Sequence, residues 1–133
     1  MIKPTVLIID DEALIRSAIK SLFEDYNYTV LEGEDTLCCP AVAEGRTCKR
    51  TRACVDILLI DNTMPGMSGL EFIRSRSLRN CKLKNHQISL FSGNISSQEL
   101  SMLYDSGCHF FQKPTPLIKI LTWAEGNKPP MTL

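Results

Sequence analysis

No apolar run in this sequence approaches membrane length, which excludes a membrane-spanning helix. Neither sign of charge prevails: Lys+Arg and Asp+Glu each number 15, for a formal net charge of zero. That balance argues against a direct binder of nucleic acid. Histidine is scarce, at two residues, and no C-x-x-C pair occurs, so the usual zinc-ligand spacing is missing. The opening residues place Lys3 and Pro4 ahead of a short apolar run broken by two aspartates, which does not read as a signal peptide. The expectation is a cytoplasmic protein with no membrane association. Its six cysteines, at 38, 39, 48, 54, 81 and 108, are then free thiols in a reducing compartment rather than a disulfide framework. A metal or redox site built from Cys38, Cys39, Cys48 and Cys54 is the less favoured reading, because no histidine lies in that stretch.

A chain of 133 residues is one domain with room for a self-sufficient core. Short β-rich runs alternate with helical stretches, which argues for parallel βα units. Strands are expected at Thr5–Ile9, Tyr28–Leu31, Val55–Ile60, Ile88–Phe91 and His109–Gln112. After the first strand, Leu14, Ile15, Ala18, Ile19, Leu22 and Phe23 recur at helical spacing and predict one buried stripe. A helix over Gly69–Ser77 turns Leu70, Phe72 and Ile73 inward. Ser96 or Ser97 caps a helix through Leu100, Leu103 and Tyr104 that Gly107 ends. Pro116 opens a last helix, which Gly126-Asn127 stops. Residues 1–126 are read as the domain and 127–133 as a tail. Pro40 and Gly45 interrupt the stretch from Glu32 to Cys54, so the second helix is expected to be short or irregular near Ala41–Glu44, followed by a loop. The basic clusters at Arg46–Arg52 and Arg74–Lys84 are read as solvated surface.

The informative positions are the strand ends. Val6–Ile9 runs into Asp10-Asp11-Glu12, Ile57–Ile60 into Asp61, Ile88–Phe91 into Ser92, and Phe110–Gln112 into Lys113-Pro114. In an open parallel sheet, ligands bind beyond the carboxyl ends of the strands. Singly, each residue has an ordinary explanation: a helix cap for Asp11 or Glu12, a turn for Ser92-Gly93, solvent for Lys113. Together they predict one rim. Two carboxylates about 4 Å apart repel by roughly 4 kcal/mol at an effective dielectric near 20, so a proton or a cation must relieve them. An all-oxygen site open to water suits Mg²⁺. One of the carboxylates could then act as a nucleophile toward phosphorus, with Lys113 and Ser92 on the phosphoryl oxygens.

These motifs, together with Asp56–Gly69 (DILLIDNTMPGMSG) and the spacing from Asp61 to Ser92 and Lys113, resemble the receiver domain of two-component response regulators. The resemblance runs from Pro4 to about Glu125, and the motif around Asp61 is its most specific part. It implies a flavodoxin-like α/β fold, a five-stranded parallel sheet of order 2-1-3-4-5 with helices on both faces. It implies that Asp61 is the phosphoacceptor, supplied by a sensor histidine kinase or a histidine phosphotransfer protein. Asp10, Asp11 and Asp61 would hold Mg²⁺ with the backbone carbonyl of Thr63, Ser92 would sense the phosphoryl group, and Lys113 would pair with it across a cis Lys113–Pro114 bond. Phe110 stands at the switch aromatic, and a downstream protein partner would read the state from about Ser97 to Trp123. Such a domain is a signalling phosphoacceptor rather than an enzyme, self-catalysed phosphorylation and dephosphorylation aside.

Two departures from the family pattern stand out. The stretch between Asp11 and Asp61 is longer than usual, and the extra length falls among the cysteines. The region after Pro114 lacks the family's common Phe and the charged helix pattern behind it, which leaves dimerisation through that face unsupported. Asn94 and Thr63 hold the positions that tune phosphoryl lifetime. The competing readings are a pseudo-receiver that binds protein without phosphorylation, a haloacid-dehalogenase-type phosphatase and a flavodoxin-like cofactor binder. The complete acidic pocket disfavours the first. Thr63 stands where the second needs an acid, and the aspartates after the first strand would repel a flavin phosphate.

Overall fold

Five strands form one parallel sheet: β1 (Thr5–Ile9), β2 (Thr29–Gly33), β3 (Ile57–Asp61), β4 (Ile88–Ser92) and β5 (His109–Gln112). Their order is β2-β1-β3-β4-β5, as the resemblance implies. The structure, a computed structural model, describes residues 2–130. The central strands β3 and β4 are buried along their whole length, which explains their unbroken apolar runs. Helices α1 (Ala13–Asp25) and α5 (Leu117–Asn127) cover one face, packing Ile19, Phe23, Ile120 and Leu121 on Val6, Ile8, Ile57, Leu59 and Phe91. On the other face lie α2 (Pro40–Ala43), α3 (Gly69–Arg74) and α4 (Ser97–Asp105). There Leu70, Phe72, Ile73 and Leu103 meet Ile9, Leu58, Ile60, Ile88 and Leu90.

Several expectations shift. Leu14 and Ala18 do not join the α1 stripe; Leu14 is 86% exposed. They share the i, i+4 face next to the one that meets the sheet, and Ile15, Ile19, Leu22 and Phe23 fill the contact. Strand β2 begins and ends later than the apolar pattern suggests, while β3 starts at Ile57 and takes in Asp61, and β4 takes in Ser92. Helix α3 stops at Arg74 and passes into a 3₁₀ turn over Arg76–Arg79. Its start is fixed by a capping box in which Ser68 Oγ accepts from the Glu71 N–H and Glu71 returns the bond to the Ser68 N–H. Ser96, not Ser97, caps α4 by the same device with Glu99. Helix α5 runs through Gly126 and Asn127, and Pro116 is its N-cap rather than its first residue. The second helix is four residues long, followed by a segment with no regular structure up to β3, as Pro40 and Gly45 predict. Of the expected tail, residues 131–133 lie outside the described residues.

The strand ends are held by main-chain bonds. The N–H of Asp10 donates to the Gly33 carbonyl at 3.0 Å, that of Asn62 to Phe91 at 3.3 Å, and that of Lys113 to Ser92 at 2.9 Å. The start of α3 is drawn against the end of β3. Asn62 Oδ1 accepts from the Leu70 N–H at 3.0 Å, and Gly69 lies so close that a Cβ would stand 2.4 Å from the Asp61 carbonyl oxygen and 2.6 Å from Leu90 Cδ1. Gly69→Ala is therefore expected to lower stability by about 1–3 kcal/mol, read as an earlier urea midpoint at unchanged slope; an unchanged midpoint would show that the backbone yields there.

Candidate functional site

Asp10 follows β1, Asp61 ends β3, and Lys113 follows β5, so the parallel register carries all three to the carboxyl edge of the sheet. Lys113 Nζ sits between the acids, 2.9 Å from Asp10 Oδ2, 3.4 Å from Asp61 Oδ1 and 3.5 Å from Glu12 Oε1. Its ammonium also lies 4.7 Å from the centre of the Phe91 ring. Asp10 is wholly buried and Asp61 nearly so, whereas Asp11 faces solvent. One carboxylate oxygen from each of Asp10, Asp11 and Asp61 lies within 4.8 Å of the others. Among the described residues, this is the one group of three acidic, thiol or imidazole side chains close enough to share a cation. The donor set is all oxygen and open to water on the Asp11 side, a hard-cation chemistry that these residues fit.

The charges do not balance. Burial, and then the neighbouring Asp10, push the Asp61 carboxyl up to about 6, against the pull of Lys113 and of the Thr63 N–H. Burial also raises Asp10, despite bonds from the Glu12 N–H and Lys113. Lys113 is lowered by burial but raised by more through Asp10 and Asp61, and stays an ammonium. One half-buried ammonium for two buried carboxylates leaves the pocket short of positive charge.

Ser92 is buried at the end of β4, but its hydroxyl engages Asn94 rather than the acids: Oγ donates to the Asn94 carbonyl at 3.0 Å and accepts from its N–H at 3.2 Å. Phe110 lies on β5, half-buried against the cluster that holds Leu103 and Leu90. The Lys113–Pro114 bond is cis, as the resemblance implies. Two residues escaped the sequence reading. Arg16 donates from Nη1 to the Asp10 carbonyl at 2.5 Å and pairs through Nε with Glu32 at 3.3 Å. Asn62 ties β3 to α3 as described above. Both serve main-chain groups, which leave no trace in residue patterns, although Arg16 falls one helical turn after Glu12 and so belongs to the rim. The six cysteines are all free, and none lies in the acidic pocket.

The receiver-domain model of response regulators matches residues 6–125. Among curated relatives, the chain is 39% identical over 74 residues to the phosphate regulon transcriptional regulatory protein PhoB of Pseudomonas aeruginosa, covering 56% of this chain and 29% of PhoB. It is 29% identical over 125 residues to the autoinducer sensor kinase/phosphatase CqsS of Vibrio cholerae, covering 89% of this chain and 17% of CqsS. The chain thus spans less than a third of these relatives. Among solved structures, chemotaxis protein CheY4 of Vibrio cholerae superposes with a TM-score of 0.74 at 22% identity, covering 95% of this chain and 99% of CheY4. The signal receiver domain of a LuxO repressor protein from Vibrio parahaemolyticus gives 0.76 at 16% identity, with 95% and 90% covered. At those identities the structural likeness speaks for the fold.

The raised Asp61 value sets a pH dependence. A carboxyl whose folded value lies above its unfolded one binds a proton more readily when folded, so stability falls as pH rises from about 3.8 through about 6. In chelator-treated buffer, the melting temperature is expected to rise as pH falls from 7.5 toward 5.5, and Asp61→Asn to flatten that slope while raising the pH 7.5 value by a few degrees. A wild-type melting temperature that drops over that interval would contradict the unrelieved repulsion.

Proposed function

The chain belongs to the response regulator receiver family, and on that premise we propose that it accepts a phosphoryl group on Asp61 and thereby switches a protein-binding surface. The reading rests above all on one observation: a buried carboxylate beside a second one, with Lys113 Nζ within reach of both. The donor is a phosphohistidine of a sensor histidine kinase or of a histidine phosphotransfer protein. A carboxylate oxygen of Asp61 attacks phosphorus, the P–N bond breaks, the imidazole leaves with the electron pair and takes up a proton, and an acyl phosphate remains. Lys113 holds its ammonium against the negative phosphoryl oxygens as they approach Asp61. Asp10, Asp11 and Asp61, with the Thr63 carbonyl, would hold Mg²⁺, which supplies further neutralisation of phosphoryl charge when bound. Excess carboxylate in the pocket supports that assignment.

The same reading assigns the switch. A phosphoryl group on Asp61 gives the Ser92 hydroxyl a stronger acceptor than Asn94, and Phe110 follows into the space that Ser92 and its loop release. A few kcal/mol of differential interaction suffices to shift the population between the two arrangements. The partner reads the result from about Ser97 to Trp123, across α4, β5 and α5. Residues 1–126 act as the receiver unit, and 127–133 as a tail. The site serves signalling rather than turnover, acting only on its own phosphoryl group.

Incubation with acetyl phosphate and Mg²⁺ is expected to add the mass of one phosphoryl group and to retard the band on a Phos-tag gel. Asp61→Asn abolishes both changes, and Lys113→Ala slows the reaction by roughly a hundredfold. No mass gain in the wild type would sink the phosphoacceptor reading in favour of a pseudo-receiver. Under the same conditions, amide NMR shifts are expected to change across residues 97–123, and Ser92→Ala to suppress that change without preventing phosphorylation. Shifts confined to the loops around Asp61 would refute the switch.

A further inference from the structure

The short α2 leaves a cavity that the phosphoacceptor chemistry does not use. It measures about 390 Å³ and lies over β1 and β3 on the face that α3 also covers. Leu7, Leu31, Leu58 and Phe72 form its floor and one wall. Cys38, Cys39, Cys48, Cys54 and Cys81 line much of the rest. All five are free thiols, Cys38 and Cys54 exposed at the surface and Cys39, Cys48 and Cys81 half-buried. The Cys38 sulfur is tucked against Gly33, where an added Cβ would come within 2.6 Å of it. Burial, followed by the neighbouring Cys39 and Asp35, pushes the Cys38 thiol up to about 11. Burial and Cys81 raise Cys54 too, although Arg50 pulls the other way. Among the described residues, no three of them approach closely enough to ligate one metal ion.

The rim is cationic. Arg50, Arg52, Arg79 and Lys82 all line the cavity, the first two exposed and the others half-buried. None of the four is paired with a carboxylate among the described residues. Arg79 donates to Ser75 Oγ and the Phe72 carbonyl, and Lys82 to the Asn80 carbonyl, all neutral acceptors. The acid in the lining, Glu32, is already held by Arg16 at 3.3 Å and Lys20 at 3.4 Å. An apolar chamber of small-molecule size with an unmatched positive mouth selects for an apolar body carrying a negative head.

We propose that this cavity binds a small amphiphilic anion, such as a medium-chain carboxylate, with its hydrocarbon part against Leu7, Leu58 and the thiols and its head at Arg50 and Arg52. The size favours a small molecule over a partner's helix, since the chamber is bounded on several sides by α2, the Arg46–Ala53 segment and the 3₁₀ turn after α3. The site is separate from Asp61: Leu58 reaches the cavity from the interior of β3, whereas Asp61 stands at the strand's end.

The test uses the whole chain with sodium decanoate, decanol and decyltrimethylammonium as probes, followed by calorimetry and amide NMR. Decanoate is expected to bind saturably, to shift resonances of the Cys38–Ala41 and Cys48–Leu58 segments, and to outcompete the cationic probe. Arg50→Glu combined with Arg52→Glu, both exposed, should weaken decanoate at least roughly tenfold while leaving decanol unchanged. Cys81→Phe should weaken both by filling the chamber. Equal binding of the three probes, decanoate binding that ignores the double charge reversal, or shifts elsewhere would each overturn the proposal. So would saturable binding of an acidic amphipathic peptide where decanoate fails, which would make the face a protein groove instead.

Discussion

Everything at the carboxyl edge follows from confining two buried carboxylates beside a single half-buried ammonium. Left alone, Asp10 and Asp61 would repel, and only Lys113 stands between them. The fold accepts that strain because a five-stranded parallel sheet, covered on both faces, supplies enough apolar burial to hold a few misplaced charges. The deficit of positive charge in turn gives the pocket its chemical appetite. Such an edge attracts whatever brings cationic charge or removes a carboxylate's negative charge, and a pocket so poised can respond to a change at one oxygen.

Much of this arrangement was legible in the residues. Asp10, Asp61 and Lys113 each stand where an apolar run stops, and burial of a strand makes its first polar residue conspicuous. The shortened α2 was equally readable, because Pro40 and Gly45 deny a helix its length, whereas the sheet order came from the family resemblance and not from the residue pattern. Leu14 and Ala18 were misplaced for a definite reason: apolar periodicity locates a helical face to within one residue of arc, and only the neighbouring element decides where contact ends. Strand limits slipped at β2 and β3 because pairing partners, not side chains, set them. Arg16 and Asn62 were invisible because what they satisfy is a backbone carbonyl or amide. The cavity was invisible for a similar reason. A broken helix announces itself in sequence, but the space it leaves depends on where the replacement segment lies.

The two faces of the sheet have unequal roles. The α1–α5 face is closed by well-formed helices and an aromatic pair, Phe23 edge-on to Tyr28. The α2–α4 face carries the lengthened cysteine-bearing stretch and the half-buried Phe110. The irregular elements thus gather on one side, while the other is covered by the two longest helices, α1 and α5.

The bonds that tie the strand ends together are made by backbone atoms: Asp10 to Gly33, Asn62 to Phe91, Lys113 to Ser92. Main-chain bonds are indifferent to which side chains flank them. These three bonds therefore do not depend on the identity of the flanking side chains, in contrast to the contacts that Gly69, Asn62 and Arg16 make beside them. The spacing of the charged edge is thus written into strand pairing itself and not into the loops and the cavity around it.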